Sequence, residues 1–126
     1  LIVRGACTLK PGVPGISDNI RVRSIVGRFL EHSRCYCFYN DGHEEIYCAS
    51  ADWMDRSFFR RIELMFPIRD ESLRSRIMAD LAVYLADNVQ AWELLADGRY
   101  ERLAPKPGTE AKAAQMTLLR QLAEMS

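Results

Sequence analysis

The chain lacks any run of about 20 apolar residues, the length a helix needs to cross a bilayer, so a soluble domain is expected. It also lacks net charge, with 17 basic residues against 17 acidic ones. That balance removes the long-range attraction on which general nucleic-acid and anionic-membrane binders rely. Cys7, Cys35, Cys37 and Cys48 contain no C-x-x-C pair, and the Cys35-Tyr36-Cys37 spacing does not suit a zinc site. The cysteines read instead as small apolar side chains in a reducing cytosol. There is no internal repeat, no low-complexity segment, no initiator methionine and no basic-then-apolar leader. A chain that opens on Leu1-Ile2-Val3 reads as a piece of a longer polypeptide.

Lysine is scarce where arginine is not. Of the 17 basic residues 14 are arginine, and nine of those lie in the first 69 positions. Arginine's planar fork grips phosphate or carboxylate oxygens two at a time, which a lysine ammonium does not. The front half is therefore suited to oxyanions. At 126 residues the chain fits one domain, residues 1–126, with a core of its own.

Strand signals dominate the first half. Leu1 to Leu9 is β-compatible and runs into the turn-rich Lys10-Pro11-Gly12-Val13-Pro14-Gly15. Ile20 to Gly27 alternates, and Arg28 to Tyr39 is rich in aromatics and cysteine and closes on Asn40-Asp41-Gly42, a tight-turn signal. Glu45 to Ser50 reads as the returning strand. After a connection containing Arg56, Arg60 to Ile68 alternates again, with Ile62, Leu64 and Phe66 on one face, and Pro67 marks its end or an edge. From Asp70 the period changes. Leu73, Ile77, Leu81, Tyr84 and Leu85 recur at three and four residues behind a candidate Asp70 cap, which predicts a helix of about 17 residues. Ala96-Asp97-Gly98 predicts a hairpin between residues 92–95 and 99–103. A last helix is expected over residues 109–124. The sum is α/β or α+β, with a mixed sheet and helices packed on it.

Three pairs spaced i and i+2 carry the candidate chemistry: His32 with Arg34, Ser50 with Asp52, and Arg61 with Glu63. Residues two apart on a strand face the same way. If the three segments are adjacent strands or strand ends, these six side chains converge. An imidazole aimed at phosphorus can attack it or protonate a leaving oxygen, given a partner that fixes its tautomer and a cation that steadies the equatorial oxygens. Glu63 or Asp52 suits the first task, and Arg34, Arg61 or Arg4 the second. Each pair also has a plainer reading: Arg61 with Glu63 as a surface ion pair, Ser50 with Asp52 as a turn cap, Arg4 as a solvated strand end. His43, beside Asp41-Gly42, reads as an exposed turn residue.

The opening Leu1-Ile2-Val3-Arg4-Gly5, the loop of residues 10–15, Asn19-Ile20-Arg21-Val22, the run Ser24 to Arg34, Ser50-Ala51-Asp52-Trp53-Met54 and Arg60-Arg61-Ile62-Glu63 together closely resemble one family. It is the carboxy-terminal domain of bacterial polyphosphate kinase of the phosphohistidine type, whose catalytic domains are similar to phospholipase D. The resemblance is strong over residues 1–70 and looser beyond. It implies a phospholipase-D-like fold in which Arg34 stands for the usual lysine and Asp52 for the usual asparagine. It also implies reversible transfer of the terminal phosphate of ATP to inorganic polyphosphate, with magnesium, through a phosphorylated histidine in the preceding catalytic domain of the same longer chain. His32 would face that histidine as general acid, Arg4 and Arg61 would contact ATP or chain phosphates, and the magnesium ligands would lie mainly upstream. The partners implied are ATP or ADP, polyphosphate, the preceding domain and further copies in a homo-oligomer, with no nucleic acid. A cytoplasmic location is implied, with peripheral membrane association left open. Two rivals use the same residues: a phospholipase-D-like phosphodiesterase half, and a non-catalytic polyanion-binding module.

Overall fold

Short alternating segments and strong turn residues give short elements. In the computed structural model, which describes residues 1–124, the strands are β1 (Arg23–Ile25), β2 (Cys35–Phe38), β3 (Glu45–Ala49), β4 (Met65–Pro67), β5 (Ala91–Leu94) and β6 (Tyr100–Arg102). The helices are α1 (Asp55–Arg60), α2 (Glu71–Ala86) and α3 (Ala114–Glu124), with a 3-10 turn at Asn40–Gly42. The chain divides into two units: Leu1–Glu31 with the residues from Asp80 onward, and His32–Ala79. The α+β class holds. The sheet expected as mixed is divided into two three-stranded sheets whose strand pairs are antiparallel, and the parallel component is the isolated bridge Ile2↔Arg23.

In the first unit the strand order is β1-β5-β6, with Arg23 opposite Glu93 and Ile25 opposite Ala91. Arg23 and Glu93 form a cross-strand ion pair at 2.8 Å, and the same guanidinium donates to the carbonyl of Leu85 at the end of α2, where a cation suits the helix terminus. Val22, Ile25, Ala91, Leu94 and Ala114 form the buried apolar set. The Asp97-Gly98 turn is made as expected, with Gly98 at φ 89° and its N–H bonded to the Leu95 carbonyl. The strand expected over residues 1–9 shrinks to the bridge at Ile2. Gly5 takes a φ of 94°, which leaves the extended region and ends any pairing that Ile2 and Val3 begin.

The start of α3 is also corrected. Lys112 N–H donates to the Asn88 side chain and Asn88 N–H to the Lys112 carbonyl, so Lys112 is held against another loop. The helix begins at Ala114, where Asp87 Oδ2 accepts the first N–H at 2.6 Å. The cap thus comes from 27 residues upstream. Of the side chains expected to face a neighbour, Met116, Leu119 and Leu122 are each about half exposed.

In the second unit the order is β2-β3-β4, with Cys35 opposite Cys48 and Phe38 opposite Glu45. Asn40 and Asp41 adopt φ of 41° and 51°, the left-handed conformations these residue types tolerate, and turn β2 back into β3. The Cys35 and Cys48 sulfurs lie 3.7 Å apart as thiols, and partial desolvation pushes the thiol of the exposed Cys37 up from its ordinary pKa. Pro67 ends β4 on a sheet edge, as a residue without an N–H donor must. The strand expected over residues 60–68 is only Met65–Pro67, because residues 55–60 wind into α1 with Asp55 in its first turn and Arg60 in its last. The apolar face predicted there has no cover among the described residues: Ile62 is fully exposed and Leu64 and Phe66 largely so.

Helix α2 begins one residue after Asp70, whose carboxylate accepts the Leu73 N–H at 3.0 Å and the Ser72 hydroxyl at 2.6 Å. This is the expected N-cap. The Ser72 hydroxyl first, then the Leu73 N–H, hold the Asp70 carboxyl below its ordinary pKa. Its contribution to helix stability is therefore complete above the unfolded-state value of roughly 3.9 and is lost as pH falls below that through the lower folded value. Carboxyl-carbon NMR titration of Asp70 is expected to give a midpoint below that of an unstructured aspartate. Asp70→Ala is expected to remove the acid-linked loss of helicity in α2, and a midpoint at or above the reference would contradict the cap.

Candidate active site

The three i, i+2 pairs fall at strand ends of the second unit rather than inside strands. His32 and Arg34 precede β2, Ser50 and Asp52 follow β3, and Arg61 and Glu63 lie between α1 and β4. Two backbone bonds join these ends: Ala49 N–H to the Arg34 carbonyl at 2.9 Å and Ser50 N–H to the Leu64 carbonyl at 3.0 Å. The ladder is continued past each strand, which brings polar side chains from three segments to the same end of the sheet.

Arg34 and Asp52 meet there. The Arg34 Nε and one terminal nitrogen both lie 2.9 Å from Asp52 Oδ1, and the other terminal nitrogen donates to the His32 carbonyl at 3.0 Å. Asp52 Oδ2 takes Arg56 from α1 at 3.3 Å. The Asp52 hydrogen bond, ahead of every other cause, raises the Arg34 pKa further. Arg34 thus fixes the backbone at His32 while its own charge is met by Asp52. Ser50 Oγ donates to Glu63 Oε2 at 2.5 Å and accepts the Leu64 N–H at 3.0 Å, so Glu63 is held by a hydroxyl on the neighbouring strand end. His32 is exposed. Arg61 is exposed and makes no hydrogen bond or ion pair among the described residues, so its fork is open to an oxyanion.

Arg4 belongs to the first unit. It is exposed and lines a cavity of about 590 Å³ with Arg28, Phe29, Trp92 and Tyr100. Arg28 lies 5.8 Å from the centre of the Phe29 ring, a cation over an aromatic face. Three further residues of note gave weaker signals in the sequence. Arg56 sits where helical spacing places it one turn from Asp52. Asp87 precedes a strand, the context of an Asx turn. Gln115 falls on the same face of α3 as Leu119 and Leu122, and a polar residue on an apolar face is the hint. His43 is the exposed turn residue expected. Among the described residues no three His, Cys, Asp or Glu side chains gather as a metal ligand set, and the carboxylates of Asp52 and Glu63 already have partners.

A family model described as polyphosphate kinase C-terminal domain 2 matches residues 1–115. The chain belongs to that family. A polyphosphate kinase of Xylella fastidiosa, strain Temecula1, is 58% identical over 123 residues, covering 97% of this chain and 18% of that protein. One from Pseudomonas aeruginosa is 53% identical over 123 residues, covering 98% of this chain and 18% of that protein. The crystal structure of polyphosphate kinase from Porphyromonas gingivalis matches with a TM-score of 0.90 at 39% identity, over 98% of this chain and 19% of that one. This polyphosphate kinase domain therefore spans about a fifth of the length of the relatives it matches. Its α+β, phospholipase-D-like fold is the one the resemblance implied. No helix of the described domain is long and apolar enough to cross a membrane.

Proposed function

We propose that this domain supplies the second half of a polyphosphate kinase active site, in which the terminal phosphate of ATP passes reversibly to inorganic polyphosphate through a phosphohistidine carried by the preceding domain of the longer chain. The observation that carries the reading is a histidine at a strand end whose backbone is pinned by Arg34, in a member of this family that accounts for about 18% of its relatives' length. His32 then serves as general acid toward the leaving oxygen, a task suited to imidazole because its ordinary pKa lies near neutrality. Arg61 supplies a cation for equatorial phosphoryl oxygens, and Arg4 contacts nucleotide or chain phosphates from the cavity of the first unit.

Magnesium enters this reading with the nucleotide, and the described residues of this domain do not gather a ligand set for it. The apolar side chains exposed on the second unit, Trp53, Phe58, Phe59, Ile62 and Leu64, support the remaining part: such surface is normally covered, and the preceding domain or a further copy is the partner the reading supplies. The reading places the enzyme in the cytoplasm.

One experiment tests the whole. The full-length protein containing this sequence is expected to make polyphosphate from ATP and to return ATP from polyphosphate and ADP, whereas the 126-residue chain alone turns over neither. Robust synthesis by the 126-residue chain would refute the half-site reading, and diesterase activity without phosphoryl transfer in the full-length protein would favour the phosphodiesterase rival.

A further inference from the structure

Residues 26–34, which lead from β1 to His32 and on to β2, form no regular secondary structure. Val26 N–H is bonded to the Gln90 carbonyl, but beyond it a side chain takes the place of a neighbouring strand. Gln115 Oε1 accepts the Phe29 N–H at 3.0 Å, and its Nε2 donates to the Phe29 carbonyl at 2.6 Å and to Glu31 Oε1 at 2.8 Å. The other Glu31 oxygen accepts the Tyr84 hydroxyl at 2.7 Å. Gln115 is 5% exposed and sits in the first turn of α3, one residue after the Ala114 N–H that Asp87 holds. The chain passes so close above it that a Cβ on Gly27 would collide with the side chains of Gln90 and Gln115.

A primary amide has one acceptor and two donors. At this place the acceptor meets an N–H, and the donors meet a carbonyl and a carboxylate. No other residue type of this size offers that set, and the match uses the full donor capacity of the amide in a nearly closed site. The last atoms held in this way belong to Glu31, and the next residue in the chain is His32.

We propose that Gln115 is a positioning residue for phosphoryl transfer: by bracketing Phe29 and Glu31 it fixes the backbone that delivers His32. This rests on His32 acting in the transfer proposed above. Gln115 touches no reacting atom and works through residues 29–31.

The test uses the full-length protein. Gln115→Glu puts an oxygen against the Phe29 carbonyl and the Glu31 carboxylate, and adding Glu31→Gln restores a donor between the two side chains. Q115E is expected to lower kcat for ATP-dependent chain extension about tenfold to a hundredfold, the loss that goes with roughly 1 Å of misplacement. The KM for ATP stays within about twofold, since ground-state binding is not what is lost, and the double variant recovers most of the rate. Hydrogen exchange of the backbone over residues 29–32, followed by mass spectrometry, is expected to accelerate in Q115E and to slow again in the double variant. That readout does not depend on turnover. Unchanged exchange in Q115E overturns the inference, as does a fall in kcat that tracks a lowered melting temperature and is not reversed by E31Q. If exchange responds as expected but the parent protein makes no polyphosphate, the phosphoryl-transfer reading fails and takes the role of Gln115 with it.

Discussion

Replacing His32 with alanine in the full-length protein is expected to lower polyphosphate synthesis by ~10²–10⁴, the range that general acid catalysis contributes, with the melting temperature unchanged. The two halves of that outcome have separate causes. The imidazole is exposed, so its loss opens no cavity among buried apolar side chains. The His32 carbonyl receives the Arg34 guanidinium at 3.0 Å, and alanine keeps that backbone bond. On the proposed reading the rate, by contrast, depends on a proton reaching the leaving oxygen as the phosphorus–oxygen bond breaks, and His32 is the imidazole on the segment between β1 and β2.

His43→Ala is the matching control, since His43 is exposed in the turn after Asn40–Gly42 and takes no part in the proposed chemistry. Initial rates of both variants in each direction, with ATP or with ADP and polyphosphate, separate the outcomes. A His32→Ala enzyme at near-parent rates would remove His32 from the mechanism, and a loss equal to that of His43→Ala would point to a general surface effect.

The parts of the fold that could be read from the sequence are those decided within a few residues. Asn40-Asp41-Gly42 and Asp97-Gly98 turn the chain where their backbone preferences require, and Asp70 caps α2 through the N–H of Leu73. Segments whose fate depends on distant partners were read less well. The apolar opening residues pair only through the bridge at Ile2, and Gly5 leaves the extended region just beyond it. Helix α3 starts at Ala114 because Asn88 and Asp87, in another loop, hold Lys112 and Ala114 by their N–H groups. The same holds for the site. Spacing grouped His32, Arg34, Ser50, Asp52, Arg61 and Glu63 on adjacent strands or strand ends, but it could not tell which of the two, nor which carboxylate takes which cation. The structure pairs Arg34 with Asp52 and Ser50 with Glu63, and leaves Arg61 open. Gln115, 86 residues from Phe29, had no local signature beyond its place on an apolar helix face.

Asp87→Ala is expected to cost the first unit a large share of its stability. Asp87 is 1% exposed, and its two oxygens accept backbone N–H groups from Val89 at 2.9 Å, Gln90 at 2.6 Å, Ala91 at 2.9 Å and Ala114 at 2.6 Å. Ala91 and Ala114 are themselves buried, so their N–H groups have no water to turn to when the carboxylate is removed. Each such orphaned donor costs about 1–3 kcal/mol. Two of them, with the partly buried N–H groups of Val89 and Gln90 added, bring the loss to roughly 3–5 kcal/mol, a large share of the 5–15 kcal/mol that holds a typical domain together. Asp87→Asn keeps an acceptor for the cluster at residues 89–91 but turns an amide donor toward the Ala114 N–H and leaves that one buried donor unmet, so a smaller loss of about 1–3 kcal/mol is expected. Denaturant unfolding gives the two losses, and hydrogen exchange at residues 89–91 and 114 locates them. Because Asp87 also seats the first turn of α3, Asp87→Ala should speed exchange at Phe29 as well, through the loosened Gln115. A change under about 1 kcal/mol in Asp87→Ala would mean that the four N–H groups find other partners, and that the mount beneath Gln115 is not the one described.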